Sequence, residues 1–121
     1  MSTIKIIKVN ATRSTNDKVK MLIKSKKINS GCLISAKYQY GGRGQLSNRW
    51  NSSYGKNLIC SLYYNFPKIP SNSPFTINYA VSLAVLKTVR KFTSNNVLIK
   101  WPNDILSGDK KISGILIENS I

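Results

Sequence analysis

An α+β fold, with a mixed, mainly antiparallel sheet and helices packed on it, is the class this 121-residue sequence predicts. Two observations predict it. Strand-like and helix-like segments alternate irregularly, without the steady βαβ rhythm of a doubly wound sheet. Near the C-terminus, two β-rich segments are linked through the tight-turn signal Ser107-Gly108-Asp109, which reads as a hairpin.

The elements follow in order. Residues 4–9 are β-rich and read as a first strand. Ser14 or Thr15 caps a helix expected to run to about Lys27, with Val19, Leu22 and Ile23 on one face. Ser30-Gly31 is read as its end, and 32–38 as a second strand. Residues 41–54 form a Gly-, Ser- and Asn-rich loop that contains Trp50. Residues 58–64 are apolar on both faces, which predicts a third, central strand. The stretch 66–74 carries three prolines and reads as a connection. From about 75 to 92 nearly every helical face is apolar, which predicts a buried helix. Residues 97–101 make a short strand stopped by Pro102, and 112–118 the strand that returns.

Composition narrows the function. The 34 Ile, Leu, Val and Phe residues are too many for a disordered chain. No apolar run reaches the roughly 18–20 residues of a membrane span, and no secretory signal pattern opens the chain. A cytoplasmic protein of one domain, 1–121, is expected. The formal charge of +15 predicts attraction to phosphates, nucleic acid or acidic proteins, although Lys outnumbers Arg 15 to 4. Histidine is absent, which excludes a Ser-His-Asp triad, a Cys–His nucleophile and a His-ligated zinc. Cys32 and Cys60 lie in apolar stretches and are expected to be reduced and buried. Any catalysis falls to Lys, Arg, Asp, Glu and the backbone.

Four clusters carry chemistry: Ser14-Thr15-Asn16 at a strand-to-helix turn; Gln39 with Gly41-Gly42-Arg43-Gly44; Lys100-Trp101-Pro102-Asn103-Asp104; and Lys111 with Gly114. The glycine loop is no dinucleotide fingerprint, which needs glycine where Ser47 stands, and no P-loop occurs. Its glycines still let backbone amides approach a ligand, and Arg43 adds a forked cation suited to carboxylate or phosphate. Lys100 alternates within an apolar strand, so its ammonium is expected to reach a buried or cleft anion. Pro102 ends that ladder and turns Asn103 and Asp104 toward the strand end.

Together and in this order, STN (14–16), YQYGGRGQLSNRW (38–50), KWPNDIL (100–106) and KKISGILIE (110–118) resemble the catalytic domain of biotin–protein ligases. The resemblance implies the biotin/lipoate protein ligase catalytic-domain fold, which is class II synthetase-like. It implies an enzyme that joins biotin to ATP as biotinyl-5′-adenylate and transfers biotin to a lysine of a carrier domain. By the same resemblance Ser14, Thr15, Asn16, Gln39 and Gly42 bind biotin, with Lys111 at its carboxylate. Arg43, Gly44, Gln45, Trp50, Asn103 and Asp104 take the nucleotide. Arg43, Lys100, Lys111 and Asp104 are the catalytic candidates, with Asp104 assisting deprotonation of the acceptor lysine. Biotin and ATP are the implied substrates and Mg²⁺ the accompanying ion, with no protein metal ligands assigned.

The implied partner is the biotin carrier domain of a biotin-dependent carboxylase. No membrane or nucleic-acid partner is expected, and a homodimer is left open. Gln45 stands where many members carry a second arginine, and Arg13 sets a cation just before the Ser-Thr-Asn turn. The family continues beyond Glu118, so a catalytic domain incomplete at its C-terminal end, without an N-terminal DNA-binding domain, is expected. The alternatives are a lipoate- or octanoyl-transferring relative, and a basic nucleic-acid-binding module without catalysis.

Overall fold

Strand β1, Lys5–Thr12, runs three residues further than its β-rich core, because parallel pairing with the next strand continues to Thr12↔Gln39. The computed structural model describes residues 3–66 and 75–119, which fall into two compact units, one within each range. The connection read at 66–74 lies, apart from Phe66, outside the described residues.

In the first unit, Ser14 caps helix α1, Thr15–Lys24, its hydroxyl accepting the Asp17 N–H. The helix stops three residues short of Lys27. Lys26 takes the left-handed conformation (φ 58°), its N–H bonding Ile23 O at 3.0 Å, and the Lys27 N–H bonds Leu22 O at 2.9 Å. Those paired bonds are a Schellman ending, made here by lysine where glycine is usual. The stop is therefore at Lys26, ahead of Ser30-Gly31.

Strand β2, Cys32–Gln39, is the middle of a mixed sheet ordered β1-β2-β3, parallel to β1 and antiparallel to β3, Ile59–Tyr63. The expectation of a central third strand is thus corrected. Among the described strands β3 lies at the edge, with Ile59 and Ser61 buried while Cys60 and Leu62 face outward. Period-two alternation decides which side chains reach the core, and β2 buries Cys32, Ile34 and Ala36. Val19, Ile28, Cys32 and Ile34 form the core, with Ile7, Leu22, Ile23 and Tyr63 against it. Both cysteines are free, but only Cys32 is buried. Burial of part of its surroundings pushes the Cys60 thiol pKa up by desolvation.

The second unit has helix α2, Thr76–Arg90, and an antiparallel sheet of β4, Val97–Lys100, β5, Asp104–Ser107, and β6, Lys110–Gly114. Leu86, Val97 and Ile105 are its buried core, flanked by Val85, Val89 and Ile99. The helix is not buried all round as its composition suggested. Only Ser82 and Leu86 are buried, while Tyr79 and Leu83 are exposed. The hairpin at Gly108 joins β5 to β6, which corrects the expected hairpin of 97–101 with 112–118: residues 104–107 are themselves a strand, paired between the two. The returning strand starts at Lys110, and residues 115–119 lie beyond its ladder. Among the described residues no helix is long and apolar enough to cross a membrane.

Candidate active site

The helix start brings four buried polar residues together. Ser14 and Thr15 follow β1 after one residue, Arg13; the Ser14 hydroxyl caps α1, and Thr15 turns its hydroxyl back toward β2 and β3. Gln39 Oε1 accepts from the Thr15 N–H at 2.7 Å and from Thr15 Oγ1 at 3.1 Å. Ser61 Oγ lies 2.7 Å from Thr15 Oγ1 and within hydrogen-bond reach of Asn16 Oδ1, its one hydroxyl proton shared between the two acceptors. Ser14 and Thr15 are 3% exposed, Gln39 and Ser61 9%. Buried polar atoms satisfied by one another hold a fixed arrangement, as a ligand-recognising group requires. Ser61 had no signal in the sequence beyond being a small polar residue at an inward position of β3.

Gln39 also lines a cleft of about 490 Å³ whose walls are the 38–44 and 47–52 segments with Arg13 and Asp17. The glycine loop is closed on itself: the Trp50 N–H bonds Gly42 O at 2.9 Å, the Gly44 N–H bonds Asn48 O at 2.7 Å, and Arg43 and Arg49 pair in an antiparallel bridge. Gly42 is required there, since a Cβ would stand 2.5 Å from Trp50 O and 2.7 Å from Gln39 Nε2. Arg43 Nη2 lies 2.6 Å from Asp17 Oδ1, which docks the loop on the first turn of α1. Asp17 was missed by sequence reasoning; its signal was a carboxylate in the first helical turn, ordinarily a stabiliser of the helix start. Trp50 lines the same cleft, Gly44 has ordinary space around it, and Gln45 is exposed.

In the second unit, buried Ser82 donates to Pro102 O at 2.9 Å and fixes the turn between β4 and β5 to α2. Asn103 Nδ2 donates to Ile115 O at 2.8 Å, and the Ile115 N–H bonds Asn103 O at 3.0 Å. Lys111 Nζ sits 2.8 Å from Asp104 Oδ1, and Gly114 pairs with Asp104 across the sheet. Lys100 is the cross-strand partner of Asp104 on the other side. Lys100 is exposed, as is Leu98 on its face, so, contrary to expectation, burial does not force its ammonium onto an anion. The alternation was read correctly; the inward face is the Val97–Ile99 one. Asp104 thus has a lysine on each neighbouring strand.

Magnesium fits no protein-built cage here. Among the described residues no group of three or more Cys, Asp or Glu lies together, and Asp17 and Asp104 are each ion-paired.

A mixed α+β scaffold here sets buried hydroxyls beside an arginine-lined glycine loop, the first rich in neutral hydrogen-bonding groups and the second in cations. The chain belongs to the biotin/lipoate A/B protein ligase family, whose model matches residues 9–121. It is 33% identical over 91 residues to the bifunctional ligase/repressor BirA of Salmonella typhimurium, covering 75% of this chain and 28% of that protein. To the human biotin–protein ligase it is 33% identical over 101 residues, 75% of this chain and 13% of that one. Among solved structures, the Aquifex aeolicus biotin protein ligase in complex with biotin and ATP matches with a TM-score of 0.80 at 28% identity, over 96% of this chain and 47% of that one. The chain therefore spans under a third of the length of these two curated relatives and about half of that solved ligase.

Proposed function

We propose that the protein activates biotin with ATP and passes the biotinyl group to a lysine of a biotin carrier domain. The observation that carries this reading is the junction at Gln39, which bonds Thr15 of the buried Thr15–Ser61 pair beside the Ser14 cap and also lines the arginine cleft. A ureido ring has carbonyl and N–H groups that such hydroxyls and an amide recognise, and its valerate tail ends in a carboxylate.

The first step forms a bond between a biotin carboxylate oxygen and the α-phosphorus of ATP. The bond from that phosphorus to the bridging oxygen breaks, and pyrophosphate leaves with the electron pair. Two anions must approach, so fixed cations lower the barrier most. The family's pattern, rather than any geometry between the units, assigns that neutralisation to Arg43, beside the phosphate-holding Gly42–Gly44 backbone, and to Lys100 and Lys111. Holding the reactants in line removes much of the remaining entropic barrier. In the second step the carrier amine, deprotonated with help from Asp104, attacks the acyl carbon, and AMP departs. Trp50 offers a face for adenine, and Asn103 lines the nucleotide side.

Incubation with biotin and ATP should yield biotinyl-5′-adenylate and pyrophosphate, detected by mass spectrometry and a coupled assay. An adenylate formed from lipoate but not biotin would move the substrate to the lipoate-transferring branch.

A further inference from the structure

Three of the chain's four arginines, Arg13, Arg43 and Arg49, line the cleft of the first unit. They come from separate places: Arg13 from the turn between β1 and α1, the other two from the glycine loop. Arg43 and Arg49 oppose each other in an antiparallel bridge. Residues directly opposite in such a pair project to one face, and like charges there destabilise it. Arg13 is laid along the same loop. Its carbonyl accepts the Gly41 N–H at 2.7 Å. Its side chain crosses Gly41 so closely that a Cβ at position 41 would lie 2.6 Å from Arg13 Cγ and 3.4 Å from Nε. The missing side chain of Gly41 is what gives Arg13 its course along the cleft wall. Against three guanidinium groups the cleft lining offers one carboxylate, Asp17, at 2.6 Å from Arg43.

We propose that Arg13, together with Arg49, completes an arginine cradle around Arg43 that takes a polyphosphate: the tail of the bound nucleotide, and pyrophosphate as it leaves. The nucleotide in this statement rests on the ligase reading; the cradle itself rests on the cluster. Guanidinium forks match phosphate oxygens in pairs, and a polyanion relieves the repulsion among three cations that one carboxylate leaves in surplus. Arg13 and Arg49 are exposed, so an arriving polyanion meets them before the deeper groups. Through Arg13, a residue of the β1–α1 turn next to Ser14, the anion end of the cleft is built into the same turn as the hydroxyl network.

The test is calorimetric titration of the full chain with inorganic pyrophosphate. Arg13→Gln and Arg49→Gln should each weaken binding on the order of tenfold, and Arg13→Lys should retain most of it. Gly41→Ala, which pushes the Arg13 side chain aside, should weaken it as Arg13→Gln does. Lys24→Gln, at the far end of α1, should leave it unchanged, which separates a built cradle from bulk positive charge. Equal affinity in the wild type, Arg13→Gln and Arg49→Gln overturns the proposal. Biotin titrated into the same samples reports on the ligase reading alone. Biotin binding with pyrophosphate affinity indifferent to Arg13 discards the cradle and keeps that reading; the reverse pattern keeps the cradle and discards the reading.

Discussion

The carboxylate of Asp17 holds the guanidinium of Arg43 at 2.6 Å, tying the glycine loop to the first turn of α1. Both side chains are more than a third exposed, so the pair contributes at most about 1 kcal/mol to stability. Its larger consequence is for anions, because Asp17 competes with them for Arg43. Asp17→Asn should cost about 1 kcal/mol in a denaturant titration. It should tighten pyrophosphate binding about threefold in calorimetry, since the cleft loses its carboxylate. Weaker binding in that variant would mean that Asp17 aims Arg43 at the anion.

Gly42 has no room for a side chain, with Trp50 O 2.5 Å from where a Cβ would stand. Backbone on one side and the Gln39 amide on the other leave little to give way. Gly42→Ala should cost about 2 kcal/mol and open the loop. Gly44→Ala, with its nearest neighbour 3.6 Å away, should be much milder. Thermal melts of the two variants side by side check this.

Ser82 is fully buried and donates to Pro102 O, so it sets the turn that precedes Asn103 and Asp104. Ser82→Ala leaves that carbonyl without its partner and should cost about 1–2 kcal/mol. Hydrogen exchange at the Ile115 amide, which bonds Asn103 O, should accelerate if the turn loosens.

Lys26 occupies a left-handed position in the Schellman ending of α1. Lys26→Gly should raise stability by about 0.5–1 kcal/mol by removing the strain of a β-carbon there. A higher midpoint in urea, with an unchanged slope, is the expected result.

Much of the fold was legible because local rules suffice for it. A serine cap before an amphipathic run marks α1, and a glycine turn marks the last hairpin. Two errors share a cause. Residues 58–64 and the helix after residue 75 are apolar on every side, which reads as burial, yet Leu62, Tyr79 and Leu83 are exposed. Apolar character reports what a residue tolerates; which neighbour covers it is decided by tertiary context. Strand β5 was missed because Pro102-Asn103 looked like the end of a sheet, while in three dimensions it is only a corner.

The site was legible through its unusual residues and opaque where ordinary ones contribute. Arg43, Gln39 and the Asn103-Asp104 pair stood out by type and spacing. Asp17, Ser61 and Ser82 did not, since one looks like a helix stabiliser and two like neutral small residues. Their roles come from partners 20 to 46 residues away, which no local pattern reports. Lys100 shows the opposite failure: it alternates with apolar neighbours as expected, but its face is exposed, so no desolvation drives its ammonium onto an anion.

The central claim is that the hydroxyl network and the arginine cleft, joined at Gln39, hold the two ends of one activated ligand. Calorimetric titration with biotinyl-5′-adenylate tests it most directly. The account predicts one-to-one binding, weakened about tenfold or more by Arg43→Ala and by Thr15→Val separately. Absence of binding, or binding indifferent to both substitutions, would contradict it.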